Sequence, residues 1–535
     1  MRRVIAVLAA ALLAATVAGC SSDDGSSSSS DGPAECNREL TSDDEIRVTV
    51  IGSVASDVNI TSFDGTTIRL HWFPAVPAGV APTILMGPGW GQAGDTSPEG
   101  TPILGALGIQ EMTERGYNVV TWDPRGFGAS SGTATVNDPE AEGRDVQVIL
   151  DWLTTRPSAL TDGEGDPAVG MVGASYGGGI QLTTAGLDCR IDAIVPTMGW
   201  HSLETSLYPH ETVKAGWAGV LSDVAADADL DPHIASANAS GQATGTLSDE
   251  DRQWFVDRGP GDLVEQIRTP TLLVQGTVDT LFTLQEAVTN FEIIQGNDVP
   301  VSMLWYCGGH GACLTEAGDP ADITEATFAW LDRHLKDEDV DTGPVVSVID
   351  QDGRRWTGDD YPAEPDGAVE ASGAGGTLAL TADSVAGPLV DAESADLLTG
   401  LVSPITPARA ETAVETTITA DTDGLVLGAP RLTMTYTGTT PDGPEPTRVF
   451  AQLVDAETGF VLGNQITPVP VVLDGEEQTA VVDLEIVAHH LAAGDELILQ
   501  IVATTPAFAT PRLGGSIDIA SLAVSLPTTE ALTAA

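Results

Sequence analysis

Between Val169 and Gly179 the chain reads Val-Gly-Met-Val-Gly-Ala-Ser-Tyr-Gly-Gly-Gly: a short apolar run, a serine, then glycines that open a helical stretch. No other segment limits the fold so tightly. A serine framed as Gly173-x-Ser175-x-Gly177 occupies a strand-to-helix turn too sharp for large neighbours. The turn lifts the hydroxyl clear of the sheet and aims the following backbone amide at the same space. It requires a strand ending at the carboxyl edge of a parallel sheet, with a helix folded back over it.

The surrounding chain fits that requirement. Short apolar runs at Thr83–Met86, Tyr117–Trp122, Ile191–Pro196, Thr271–Val274 and Val301–Trp305 alternate with helical periodicity. Asp138-Pro139 starts a helix whose Val146, Ile149, Leu150 and Leu153 fall on one face, and Asp322–Lys336 reads as another. Upstream, Ile46–Phe73 is β-like, with Asp64-Gly65 marking a hairpin. The rhythm is interrupted by an insertion whose Trp217, Trp254 and Phe255 give it enough apolar mass to pack, a helical cap at about 201–268. From Gly343 onward the period changes to two, as in Val482, Leu484 and Ile486, with further strands expected at Thr447–Val454 and Leu497–Val502. The expectation is an α/β domain over 45–342 and an all-β sandwich over 343–535.

A serine hydroxyl is a weak nucleophile and needs a base that a third group orients. On a fold of this kind the acid and the histidine follow the serine in that chain order, each on a loop after a later strand. Asp279 ends the loop Gln275-Gly276-Thr277-Val278-Asp279, with Asp298 in reserve. His310 lies in Cys307-Gly308-Gly309-His310-Gly311, after the strand at 301–305. The other histidines lie too early, within a charged helix or in the β region. The oxyanion hole is expected to pair the Tyr176 amide with that of Trp90, from the loop Gly87-Pro88-Gly89-Trp90-Gly91. This chemistry calls for no metal and no organic cofactor.

The ends and the charge bear on location. Residues 1–19 carry a positive start and an apolar core too short to span a membrane, the composition of an export signal. Val17-Ala18-Gly19-Cys20 resembles a bacterial lipobox, which implies lipidation of Cys20 and attachment to the outer face of a cell membrane. The Ser-rich stretch up to residue 44 reads as a tether. Cys36, Cys189, Cys307 and Cys313 remain, an even number outside the cytoplasm, so Cys307–Cys313 and, by elimination, Cys36–Cys189 are the expected disulfides. The competing reading takes Cys307-x2-His310-x2-Cys313 as metal ligands, but it lacks a fourth ligand. With 78 acidic against 22 basic residues the formal charge is -56, which excludes nucleic acid as a partner. Only Lys214 and Lys336 represent lysine; none follows Lys336, so the surface of the β region is expected to be nearly all acid and neutral.

With these residues placed, the chain resembles the peptidase S15 family of X-Pro dipeptidyl-peptidases and cocaine esterase-like hydrolases. The likeness rests on Asp123-Pro124-Arg125-Gly126-Phe127-Gly128-Ala129-Ser130-Ser131-Gly132, on Gly173–Gly178, on Arg190–Pro196 and on Ser206-Leu207-Tyr208-Pro209. Arg355-Trp356 and Asp359-Asp360-Tyr361-Pro362 are similar to that family's entrance into a C-terminal jelly roll. The resemblance implies an α/β-hydrolase fold with a helical cap and a jelly-roll sandwich. It also implies Ser175, Asp279 and His310 as a triad, and a peptide or small ester as substrate. Relatives often supply a tyrosine hydroxyl to the oxyanion hole where this chain has Pro88-Gly89-Trp90. A dipeptidyl-peptidase also needs an acid for the substrate's terminal ammonium, for which Glu204 and Glu211 are the candidates. The alternatives are a carboxylesterase or, in another class, a surface lipoprotein that binds a glycan or other ligand on a retired hydrolase fold.

Overall fold

Strands buried on both faces form the centre of the molecule. In spatial order they are Asn118–Asp123, Thr83–Met86, Val169–Ala174, Ala193–Thr197, Thr271–Gly276, Val301–Tyr306 and Val346–Ile349, all parallel. Nearly every residue in them is buried, as expected of strands with helices on either side. The computed structural model describes residues 48–50, 57–98, 108–315, 318–319, 321–362, 364–386, 402, 405–441, 446–510 and 512–535. The expected export signal, Cys20, the tether and Cys36 lie outside the described residues, and so does the Cys36–Cys189 pairing.

Antiparallel strands extend both edges. Thr67–Phe73, Asp57–Thr61 and Val48–Val50 continue one side, the first two as the hairpin expected at Asp64-Gly65. Arg355–Gly358 and then Thr533–Ala534 continue the other. Helices cover the faces. Trp152 and Ile149 of Arg144–Leu153 share an apolar cluster with Phe291 of Leu284–Gln295. Leu331 and Trp330 of Ala321–Leu335 pack on the other face with Tyr117 and Val195.

The expected cap is present. Helices Leu203–Leu207, Ala215–Val224, Pro232–Thr244 and Asp249–Val256 stand above the carboxyl edge of the sheet. Their starts follow local chemistry: the side chains of Ser202, Asp231 and Ser248 accept amide hydrogen bonds from the first turns.

The expected boundary at 342/343 needs correction. Val346–Ile349 and Arg355–Gly358 belong to the central sheet, and so does Thr533–Ala534 at the far end of the chain. The run Val346–Ile349 is buried on both faces and therefore suits a parallel strand covered on either side better than a sandwich. The sandwich lies between these strands. One sheet contains Gln478–Asp483, Arg431–Thr439, Ser516–Thr529, Gly424–Gly428 and Val487–Leu491. The other contains Val414–Thr419, Glu496–Val502, Pro446–Asp455 and Thr467–Val472, and all pairings within both are antiparallel. Leu425, Leu427, Ile486 and Leu532 join the same apolar cluster as Trp305, Val346 and Val348, so the α/β and β regions share core.

Candidate active site

Ser175 stands where the strand Val169–Ala174 turns into the helix Tyr176–Leu187, at φ 59° and ψ −116°. A non-glycine residue is held in such a conformation only where its surroundings dictate it, at a cost of about 1–3 kcal/mol. The turn is held by its own amide, which donates to Thr197 O at 2.9 Å. Gly177 permits the close packing behind it, since a Cβ there would fall 2.3 Å from Gly87 O.

The structure brings all three expected side chains together. His310 Nε2 lies 2.8 Å from Ser175 Oγ, and His310 Nδ1 lies 2.7 Å from Asp279 Oδ2. Asp279 is fully buried, and its Oδ1 accepts the amides of Leu281 at 3.0 Å and Phe282 at 2.9 Å. With Nδ1–H given to this carboxylate, Nε2 is left as the acceptor facing the serine hydroxyl. The reserve candidate, Asp298, is exposed in the turn after Leu284–Gln295 and takes no part.

The histidine loop is closed by a disulfide between Cys307 and Cys313, with Cα atoms 5.5 Å apart. This overturns the metal-ligand alternative, because both sulfurs are bonded to each other and His310 is engaged by Ser175 and Asp279. Gly311 lets the loop lie on its neighbour, since a Cβ there would meet Val278 O at 1.8 Å. The rings of Trp217 and Phe282 stand edge-on to the imidazole at 5.7 and 5.3 Å and shield it from water. From the sandwich, Gln465 Nε2 donates to Asp279 O at 2.6 Å and Asn464 Nδ2 to Ala312 O at 2.7 Å.

Tyr176 and Trp90 both reach the cavity in front of Ser175. The Tyr176 amide is the first of its helix, where the partial positive charge of a helix start favours a developing anion. The Trp90 indole is committed elsewhere: it packs edge-on against Phe127 and Tyr176, and Nε1 donates to Leu221 O at 3.1 Å. The indole is therefore committed away from Ser175. The Tyr176 hydroxyl turns away and donates to buried Glu142 at 3.2 Å. Burial pushes the Glu142 carboxyl up to about 7, against the hydrogen bonds it accepts from Thr135.

The cavity beneath the cap encloses about 110 Å³ and is mainly apolar, with Leu207, Leu221, Ile234, Phe255 and Phe282 among its walls. Glu204 lines it but is held by Arg252 at 2.5 Å. Glu211 is exposed and lies off the cavity wall. Among the described residues no group of His, Cys, Asp or Glu is arranged to hold a metal ion.

Residues 64–312 match the family model for X-Pro dipeptidyl-peptidases of the S15 family. This segment is similar to the peptidase S15 family. A Rhodopirellula baltica protein named for the Xaa-Pro dipeptidyl-peptidases is 25% identical to this chain over 296 residues, half of its length. That match spans 45% of the relative, so the chain covers less than half of the relative's length. A solved CocE/NonD family hydrolase from Staphylococcus aureus superposes with a TM-score of 0.64 at 15% identity, covering 90% of this chain and 97% of that one. A solved α-amino acid ester hydrolase gives 0.67 at 13% identity, covering 88% and 96%. The S15 segment and the sandwich behind it therefore share the fold of these hydrolases from end to end.

Sequence reasoning missed Lys214, Trp217, Phe282 and Gln465 as neighbours of the site. Only Lys214 carried a signal, as one of two lysines in the chain.

Proposed function

We propose that the protein is a serine hydrolase of the X-Pro dipeptidyl-peptidase type, cleaving a peptide or ester bond through an acyl-enzyme on Ser175. The observation that carries this reading is the continuous relay from Ser175 Oγ through His310 to a buried Asp279. Ser175 attacks the substrate carbonyl while His310 Nε2 takes its proton, and Asp279 stabilises the imidazolium. The Tyr176 and Trp90 amides receive the oxyanion, each worth about 3 kcal/mol of barrier. His310 then protonates the leaving amine or alcohol. Water, deprotonated by the same imidazole, releases the acid and restores the serine.

The walls favour a second reading, a carboxylesterase for small acyl groups. Glu204, the acid that could meet a substrate ammonium, is already paired with Arg252. The cavity walls are almost wholly apolar, which suits a proline ring or a short branched acyl group. Comparing Gly-Pro and Ala-Pro anilides with short acyl esters separates the two. Wild type should take up a fluorophosphonate probe and Ser175→Ala should not. Equal, poor labelling of both would sink the enzyme reading and leave the ligand-binding lipoprotein.

We also propose that the chain is exported and anchored through a lipid on Cys20, a reading supported by the lipobox-like Val17–Cys20. In a bacterial host, labelled palmitate should enter the full chain and be lost in Cys20→Ser. Incorporation that survives the substitution would rule this anchor out.

A further inference from the structure

Lys214 is an ammonium group buried at the foot of the cap, with 4% of its surface exposed. It sits just before the helix Ala215–Val224, and its Nζ donates to Thr280 O and Leu281 O, both at 3.0 Å. Among the described residues no carboxylate lies within ion-pairing distance of it, in a chain with 78 acidic residues. Burying a cation without a counter-ion is costly. Burial accordingly pulls its pKa below the usual lysine value, while Glu485, Asp279 and Glu286 oppose that shift from nearby elements.

The two carbonyls it binds belong to the residues that follow Asp279. The same turn gives the amides of Leu281 and Phe282 to the Asp279 carboxylate. The turn is therefore clamped from both sides, amides on the aspartate and carbonyls on the lysine. One helical turn along, Trp217 Nε1 donates to Thr280 Oγ1 at 3.1 Å, and Thr280 Oγ1 donates to His310 O at 3.3 Å. Trp217 also places its ring against the imidazole. The cap thus holds the acid loop and the histidine loop through two side chains three residues apart, Lys214 and Trp217.

We infer that Lys214 is a positioning residue for hydrolysis, locking the Asp279 turn to the cap so that the carboxylate stays aimed at His310. The inference rests on the serine hydrolase reading above. Lys214 touches no reacting atom, and its effect passes through Asp279.

The test is a double-mutant cycle on the full chain, reading the rate of fluorophosphonate labelling and the hydrolysis of p-nitrophenyl acetate. Lys214→Met should slow both by about 100-fold, the scale of a small misplacement of catalytic groups. Asp279→Asn should slow them by about 10⁴-fold. In the Asp279→Asn background, Lys214→Met should cost less than about 3-fold more, because residues acting through one another are not additive. Lys214→Arg, which can still donate to both carbonyls, should recover most of the rate. Lys214→Gln carries the same reading should the methionine variant not fold. Near-normal rates in Lys214→Met, or losses that multiply in the double variant, overturn the inference. If Ser175→Ala keeps its activity, the hydrolase reading itself falls; if Ser175→Ala is dead while Lys214→Met is unimpaired, only the role of Lys214 falls.

Discussion

Glu142 lies behind the nucleophile turn with 3% of its surface exposed. It accepts the Tyr176 hydroxyl and the amides of Thr135 and Asp138. Burial raises its carboxyl from 4.5 to about 7, and burial next to Asp162 and Asp166 raises Asp192 to about 8. Both groups hold a proton in the folded chain at pH values where the unfolded chain has lost it. Their contribution to stability is therefore complete below about pH 4 and is lost as the pH climbs through 7 to 8. For Glu142 alone the difference is on the order of 3 kcal/mol. Tm should fall from about pH 5 to pH 8, and Glu142→Gln, a mimic of the neutral form, should flatten that slope. Parallel curves for wild type and variant would exclude Glu142 as a cause. Ser175, Asp279 and His310 were legible in the sequence because each sits in a short loop whose glycines and flanking strand announce it. The roles of Lys214 and Gln465 were not, because their partners are backbone carbonyls, so that even a rare lysine does not announce what it binds, and because Gln465 lies 186 residues from Asp279.

At the scale of elements, the histidine loop is the most constrained part of the site. Its ring from Cys307 to Cys313 carries His310 at the centre, with Asn464 holding Ala312 O from outside. A ring this short adds less to global stability than a long one would, because loop-closure entropy grows with the number of residues enclosed. Its effect is local, fixing where the imidazole stands. Reductant should therefore lower activity by about 10-fold or more while far-UV circular dichroism stays constant, since small displacements of a catalytic base are expensive. A Cys307→Ser, Cys313→Ser double variant should start low and not respond. Unchanged activity on full reduction would show that packing alone positions His310. The cap was legible from its aromatic mass, Trp217, Trp254 and Phe255. The strands Val346–Ile349 and Thr533–Ala534 were not assigned correctly, since short apolar runs say nothing about which sheet receives them.

Over the whole molecule, the sandwich is interposed between strands of the hydrolase sheet rather than appended to it. Arg355–Gly358 leads away from that sheet, and Thr533–Ala534 returns to pair with it. The formal charge of -56 surrounds a structure whose functional contacts are nearly all uncharged or internally paired. That separation explains why composition could exclude partners yet not indicate chemistry. The hydrogen bond from Gln465 to Asp279 has a consequence in time. A polypeptide is made from its amino end, and Ser175, Asp279 and His310 all exist before Gln465 is added. Contacts so far apart in sequence form late. An unfinished chain thus carries its reactive serine without the last support of the residue that orients the base, and the relay is completed only as the sandwich closes against the sheet.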